Sequence, residues 1–186
     1  MVRCLLLTLP TMTTTIFDAL RKSHREVEEL FGDVQNAINT GQIELAKMLF
    51  QLVSVKLVSG MRAEHSVVYP RFAHEAHLVD EVAEALREHD GIERMINMLR
   101  IGQLEETEWC TAVSQLGQLV ADHTDCEEYA LFPMARLSLS TEMIEQIGSE
   151  YLEHVRMVSP IAGASITWEL PAPEVPQQVI VRFKAA

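Results

Sequence analysis

Two copies of one short pattern carry the residues that could do chemistry. The fuller copy is His123-Thr-Asp-Cys-Glu127-Glu128-Tyr-Ala-Leu-Phe132-Pro133. The poorer copy is Gly60-Met-Arg-Ala-Glu64-His65-Ser-Val-Val-Tyr69-Pro70, aligned without gaps at an offset of 63 residues. Upstream of each lies a His-x-x-x-Glu pair, His24 with Glu28 and His89 with Glu93. Each half therefore reads His-x-x-x-Glu, about 36 residues, then a Glu ahead of aromatic-Pro. A histidine and a carboxylate at i and i+4 share one helix face, so His123 and Glu127 can serve one centre. Imidazole and carboxylate without thiolate suit iron or manganese, and zinc less selectively. Antiparallel four-helix bundles gather such groups from facing helices into two-metal sites.

The elements that must position these groups are helices. Apolar residues recur at steps of three and four over 16–38, 43–76, 79–99 and 105–137, with a fifth helix expected over 141–158. The seams are Phe17, Leu20, His24, Val27 and Phe31; Leu57, Gly60, Glu64 and Val68; Leu86, His89, Glu93 and Ile96; and Leu116, Val120, His123, Glu127 and Leu131. His24, Glu64, His89, His123 and Glu127 thus lie on core-facing stripes. Ionisable groups seldom sit there unless paired or bound to metal. Pro70 and Pro133 fall inside helical patterns at matching positions, and each should kink its helix. Residues 1–12 read as an extension or an over-long start, because Met12 stands just before Thr13-Thr14-Thr15, a natural helix N-cap. The bundle is expected over 13–160, and the Pro-rich segment 161–186 reads as an irregular tail. The fold expected is all-α: an up-down-up-down four-helix bundle with an additional C-terminal helix.

The net charge is −12 and no cluster of Lys or Arg occurs, which argues against nucleic-acid or anionic membrane partners. No stretch of about 20 apolar residues is present, so no membrane span is expected. Cys4, Cys110 and Cys126 are widely spaced, without a Cys-x-x-Cys, and read as free thiols of a reducing cytoplasm. No Ser-His-Asp arrangement or phosphate-cradling glycine loop points to another chemistry.

With its complete His-x-x-x-Glu-Glu-x-x-Leu-Phe-Pro run at 123–133, the sequence resembles the hemerythrin-like family, including its bacterial HHE cation-binding domains. The resemblance covers roughly residues 16–137. It implies a helical bundle around a non-haem di-iron site. The implied ligands are His24, Glu64, His89, His123 and Glu127, with Glu64 and Glu127 bridging two irons. One departure stands out: the second-helix histidine of the family falls on Gly60, which cannot ligate. His65 could substitute, Glu28 or Glu93 could supply an oxygen, or the position could stay open to water or a small molecule. Glu93 also occupies the place of a further family ligand four residues after His89. The site could equally hold one metal or none.

The remaining polar residues have plainer expectations. His74, His77 and His154 read as surface residues and Glu128 as solvent-facing. Tyr69 and Phe132 read as packing at the bundle end, with a supporting role beside the site as the alternative for Tyr69. The function expected is that of a non-haem iron protein binding a small diatomic ligand such as O2 or NO, as monomer or homodimer. The alternatives are a metal-dependent redox enzyme at a site opened by Gly60, and a metal-free interaction scaffold.

Overall fold

The computed structural model describes residues 14–102 and 104–158. The expected extension at 1–12, with Cys4, and the tail at 161–186 lie outside the described residues. Every element among the described residues is helical. Helix α1 (Ile16–Asn39) starts at Thr15, whose hydroxyl accepts a hydrogen bond from the Asp18 N–H at 3.2 Å. It ends in a paired cap: the Gly41 N–H bonds the Ile38 carbonyl and the Gln42 N–H bonds that of Ala37. That cap needs a left-handed residue, and Gly41 has φ of 71°. Helix α2 (Ile43–Ala63) returns along α1 and continues through a π turn (Glu64–Val68) into α3 (Tyr69–Phe72). After a 3-10 turn (Ala76–Leu78), α4 (Val79–Ile101) runs back. Helix α5 (Glu106–Cys126) passes through a second π turn (Glu127–Leu131) into α6 (Phe132–Ser138). These units form an up-down-up-down bundle. Helix α7 (Thr141–Val158) packs against α1, α2 and the first π turn.

The two prolines act through these π turns. Pro70 has no N–H for the carbonyl four residues back, and its ring would crowd that carbonyl. Ahead of it the Tyr69 N–H bonds the Glu64 carbonyl, five residues back, and ahead of Pro133 the Phe132 N–H bonds that of Glu127. The expected disruption is thus one widened turn in each helix, and each begins at a seam glutamate. The helix expected over 43–76 accordingly ends earlier, at Phe72.

Two apolar clusters fill the bundle. One joins Phe17, Leu20, Val68, Phe72, Phe132, Ile147 and Tyr151, and the other joins Val34, Phe50, Val53, Ile96, Trp109 and Leu116. Between them lies a polar belt, since the buried ionisable residues are Glu64, His89, His123 and Glu127. Among the described residues no helix is long and apolar enough to cross a membrane.

Candidate metal centre

The belt takes one or two side chains from each long helical unit. Glu64 and Glu127 stand at the first positions of the two π turns, His24 at mid-α1, His89 at mid-α4 and His123 one turn before Glu127. Nε2 of His89 lies 2.8 Å from Nε2 of His123 and 3.2 Å from Oε2 of Glu64. These three residues offer ligand atoms all within 4.8 Å of one another and could hold a metal ion. Beside them, Glu127 Oε2 lies 3.2 Å from His24 Nε2 and 3.7 Å from His123 Nε2.

Each imidazole is held from behind. His24 Nδ1 is 2.8 Å from Glu128 Oε1, and His123 Nδ1 is 2.7 Å from Glu88 Oε2. His89 Nδ1 is 2.9 Å from His65 Nε2, whose ring stacks on it at 5.0 Å. A nitrogen facing a carboxylate at that range must carry the proton, which leaves Nε2 of neutral His24 and His123 as a lone pair aimed inward. Carboxylate-backed imidazoles of this kind are the usual support of metal-binding histidines. Tyr69 donates its hydroxyl to Glu127 Oε1 at 2.8 Å, while Phe132 stacks on His24 with ring centres 6.0 Å apart.

The charges of the belt are balanced by protons. Burial, reinforced by the charge of Glu127, pushes the Glu64 carboxyl up to about 8. Burial also works against the charge on Glu127, but His24, His123 and Tyr69 outweigh it and hold that carboxyl below its usual range. For His24 burial opposes the cation, yet Glu127, Glu64 and Glu128 raise it to about 9. His89 is held well below the usual imidazole range by burial and by the neighbouring histidines. His123 is raised, because Glu88, Glu127 and Glu64 overcome its burial.

The donor set fits a transition metal. Around an ion bound at about 2.1 Å, neighbouring ligand atoms stand roughly 3.0–3.4 Å apart, close to the spacings seen here. Oε2 of Glu127 is buried and has no hydrogen-bond partner among the described residues; the His24 approach lacks the required alignment. Nε2 of His89 and Nε2 of His123, 2.8 Å apart, share one proton in the metal-free belt, and a bound ion would take its place.

A cavity of about 30 Å³ adjoins the belt, lined by Gly60, Glu64, His89 and His123 together with apolar Val27, Leu57 and Ile92. That is room for one or two water-sized guests. At Gly60 a Cβ would lie 3.6 Å from Glu64 Oε1, so the position faces the belt.

His24, Glu64, His89, His123 and Glu127 are brought together; two further candidates are not. His65 stands behind His89, turned toward its outer nitrogen, because it follows Glu64 by one residue and points off the seam. Glu93 is half-buried with Arg62 and Asp90 as charged neighbours, and it does not line the cavity. Glu28 is exposed. Glu128 is half-buried and not freely solvated: it bonds His24 and lies 3.4 Å from Arg21. His74 and His77 are exposed, and His154 is half-buried. Glu88 goes unnoticed in the sequence, where its signal is adjacency to His89. A residue one step off the seam points sideways, toward the next helix.

The hemerythrin HHE cation-binding domain matches residues 15–135. A protein from Nostoc sp. named "DNA nickase" is 28% identical over 136 residues, covering 73% of this chain and 38% of that protein. The chain thus spans about two fifths of that relative's length. No solved structure matches the chain significantly. Residues 15–135 contain the whole belt and the carboxylates behind it, and the chain belongs to the hemerythrin HHE cation-binding family.

Proposed function

We propose that the chain is a hemerythrin-like non-haem iron protein whose belt holds two irons and whose cavity admits a small diatomic ligand, O2 or NO. The observation that carries this reading is the orientation of three imidazoles: each is tied by its outer nitrogen and presents Nε2 to two buried carboxylates. His24, Glu64, His89, His123 and Glu127 would hold the metal. Iron bound there would supply reversible redox chemistry and affinity for small ligands; manganese or zinc are the alternatives for this donor set. The chain's own residues do the rest. Val27, Leu57, Met61, Ile92 and Val120 wall the cavity with apolar surface and limit water. Tyr69 keeps a proton at Glu127, and Glu88 and Glu128 keep the outer nitrogens protonated, which fixes the inner lone pairs.

The test is metal analysis after anaerobic ferrous loading, with visible spectra before and after air or NO. Two irons per chain and a reversible, ligand-dependent band are expected. One iron per chain would overturn the two-metal reading, and none would overturn iron binding altogether.

One observation favours a second reading, a metal-dependent redox enzyme. A groove of about 640 Å³ runs between α1 and α5 over Gly32 and Gly117 and reaches His24 and Glu128, large enough for an organic substrate. Steady turnover of an organic peroxide, with loss on filling the groove by Gly117→Leu, would favour it. Nicking of DNA, as in the relative's name, fits poorly with a net charge of −12, which repels a phosphate backbone. A metal-free scaffold would leave Oε2 of Glu127 buried without a hydrogen-bond partner among the described residues.

A further inference from the structure

Gly60 is surrounded by oxygen. A Cβ there would meet Glu64 Oε1 at 3.6 Å, Ser23 Oγ at 3.8 Å and the Tyr151 hydroxyl at 3.8 Å. Glu64 belongs to the belt and Ser23 precedes His24, whereas Tyr151 comes from α7, beyond the matched residues 15–135. Its side chain is fully enclosed, at 2% exposure, and its hydroxyl has no hydrogen-bond partner among the described residues. Burial and the charges of Glu64 and Glu127 hold this phenol above its usual range; Ser23 interacts with it but does not meet hydrogen-bond geometry. A buried hydroxyl left without a partner costs roughly 1–3 kcal/mol, so native proteins seldom keep one without a use.

The depth of Tyr151 is set by backbone contact. At Gly148, one turn earlier on α7, a Cβ would lie 2.5 Å from the Thr14 carbonyl oxygen and 2.8 Å from the Ile16 nitrogen. Only glycine lets α7 come this close to the start of α1. Ile144 and Ile147 are buried on the same face, so apolar packing and the Gly148 contact together press the phenol toward the belt. A larger residue at position 60 would compete for the space between Tyr151 and Glu64. The glycine in α2 and the tyrosine in α7 are therefore complementary.

We propose that Tyr151 supplies the donor atom that position 60 lacks: its phenol oxygen completes the metal's ligand set from α7, outside the four-helix bundle. This rests on the metal-centre reading above. The phenol gives up its proton to solvent as the oxygen–metal bond forms, as protein ligands do on metal binding, and the resulting hard anionic oxygen suits ferric iron.

The experiment compares wild type, Tyr151→Phe and Gly60→His after loading the full chain with iron and oxidising it to the ferric state. Iron content, the visible spectrum and resonance Raman scattering excited within the visible band are read. Wild type should show a phenolate-to-ferric band with enhanced tyrosinate ring vibrations. Tyr151→Phe keeps the ring packing and should lose both, with an iron affinity at least about tenfold lower. Gly60→His should retain iron and lose the tyrosinate vibrations, because the imidazole takes the phenol's place. Ferric wild type without a tyrosinate signature would overturn the proposal and leave the metal centre standing. A signature that persists in Tyr151→Phe would overturn it in favour of Tyr69. Wild type that takes up no iron would overturn the metal centre and this proposal together.

Discussion

The belt predicts that the metal-free protein loses stability as pH rises from 7 to 9.5. His24 is raised from 6.5 to about 9 in the folded chain, by Glu127, Glu64 and Glu128 acting against its burial. A group raised on folding contributes stability that is full below its unfolded value and gone once pH passes its folded value. At 1.36 kcal/mol per unit, His24 alone accounts for about 3 kcal/mol. Glu64, raised from 4.5 to about 8 by burial and by Glu127, acts in the same direction over a lower window, and the raised His123 adds to it. The groups shifted the other way do not interfere. Glu127 is lowered and matters below pH 4.5; His89 is lowered and matters below 6.5. Urea unfolding of the metal-free protein should show a loss of about 3 kcal/mol or more between pH 7 and 9.5. His24→Gln should remove about that much of the pH dependence, which separates the belt from general repulsion in a chain of net charge −12. Metal-loaded protein should lose the dependence as well, because the ion displaces the protons. Stability that stays level or rises with pH in the metal-free wild type would refute the charge assignment of the belt.

Other substitutions probe single contacts. Glu127→Ala removes the carboxylate that accepts from the Tyr69 hydroxyl and one of the two carboxylates beside His24, leaving Tyr69 with His89 and His24 with Glu128, so metal content should vanish and the unfolding free energy should fall by about 3–5 kcal/mol. Wild-type metal content in that variant would remove Glu127 from the ligand set. Glu88→Gln and Glu128→Gln keep a hydrogen-bond acceptor behind His123 and His24 but remove its charge; metal affinity, measured against a competing chelator, should drop about 10–100-fold with little change in melting temperature. Gly102→Ala would place a Cβ 2.4 Å from the Met98 carbonyl oxygen, so thermal melts should show a loss of about 1–3 kcal/mol with metal content per folded chain unchanged.

Most of the bundle was legible because its signals are periodic. Ionisable residues on four apolar stripes needed a common partner, and the structure places His24, Glu64, His89, His123 and Glu127 in one belt. Tyr69 was harder to read. It follows Glu64 by five residues, which in a regular α-helix turns it about 140° off the seam. The π turn absorbs one extra residue and brings the phenol back toward Glu127. Phe132 follows Glu127 by the same interval and reaches His24 for the same reason. Glu88 and Glu128 lie one step off their stripes, where periodicity reads them as exposed; only the neighbouring helix gives them partners. Tyr151 was invisible as a site residue, since nothing local in α7 says how deeply that helix sits. The depth follows from the contact between Gly148 and the start of α1, two segments more than 130 residues apart.

The repeated Glu-to-Pro segment explains why loss of one candidate ligand need not dissolve the centre. In both copies the proline withholds an N–H, the preceding turn widens, and the glutamate that opens that turn sits in the belt. This mechanism depends on backbone chemistry at residues 70 and 133, not on the residue four positions before the glutamate. In one copy that residue is His123; in the other it is Gly60. The carboxylates thus keep their places whether or not the imidazole is present, while Glu88, Glu128 and His65 hold the remaining rings from outside. A glycine at position 60 consequently alters the inner face of the belt without disturbing its frame, and α7 is the element positioned to use the difference. If that is correct, Gly60→Ala should fold and retain metal, because its Cβ meets nothing closer than 3.6 Å. Failure of that variant to fold would show that the glycine serves the packing of α2 and not the chemistry of the belt.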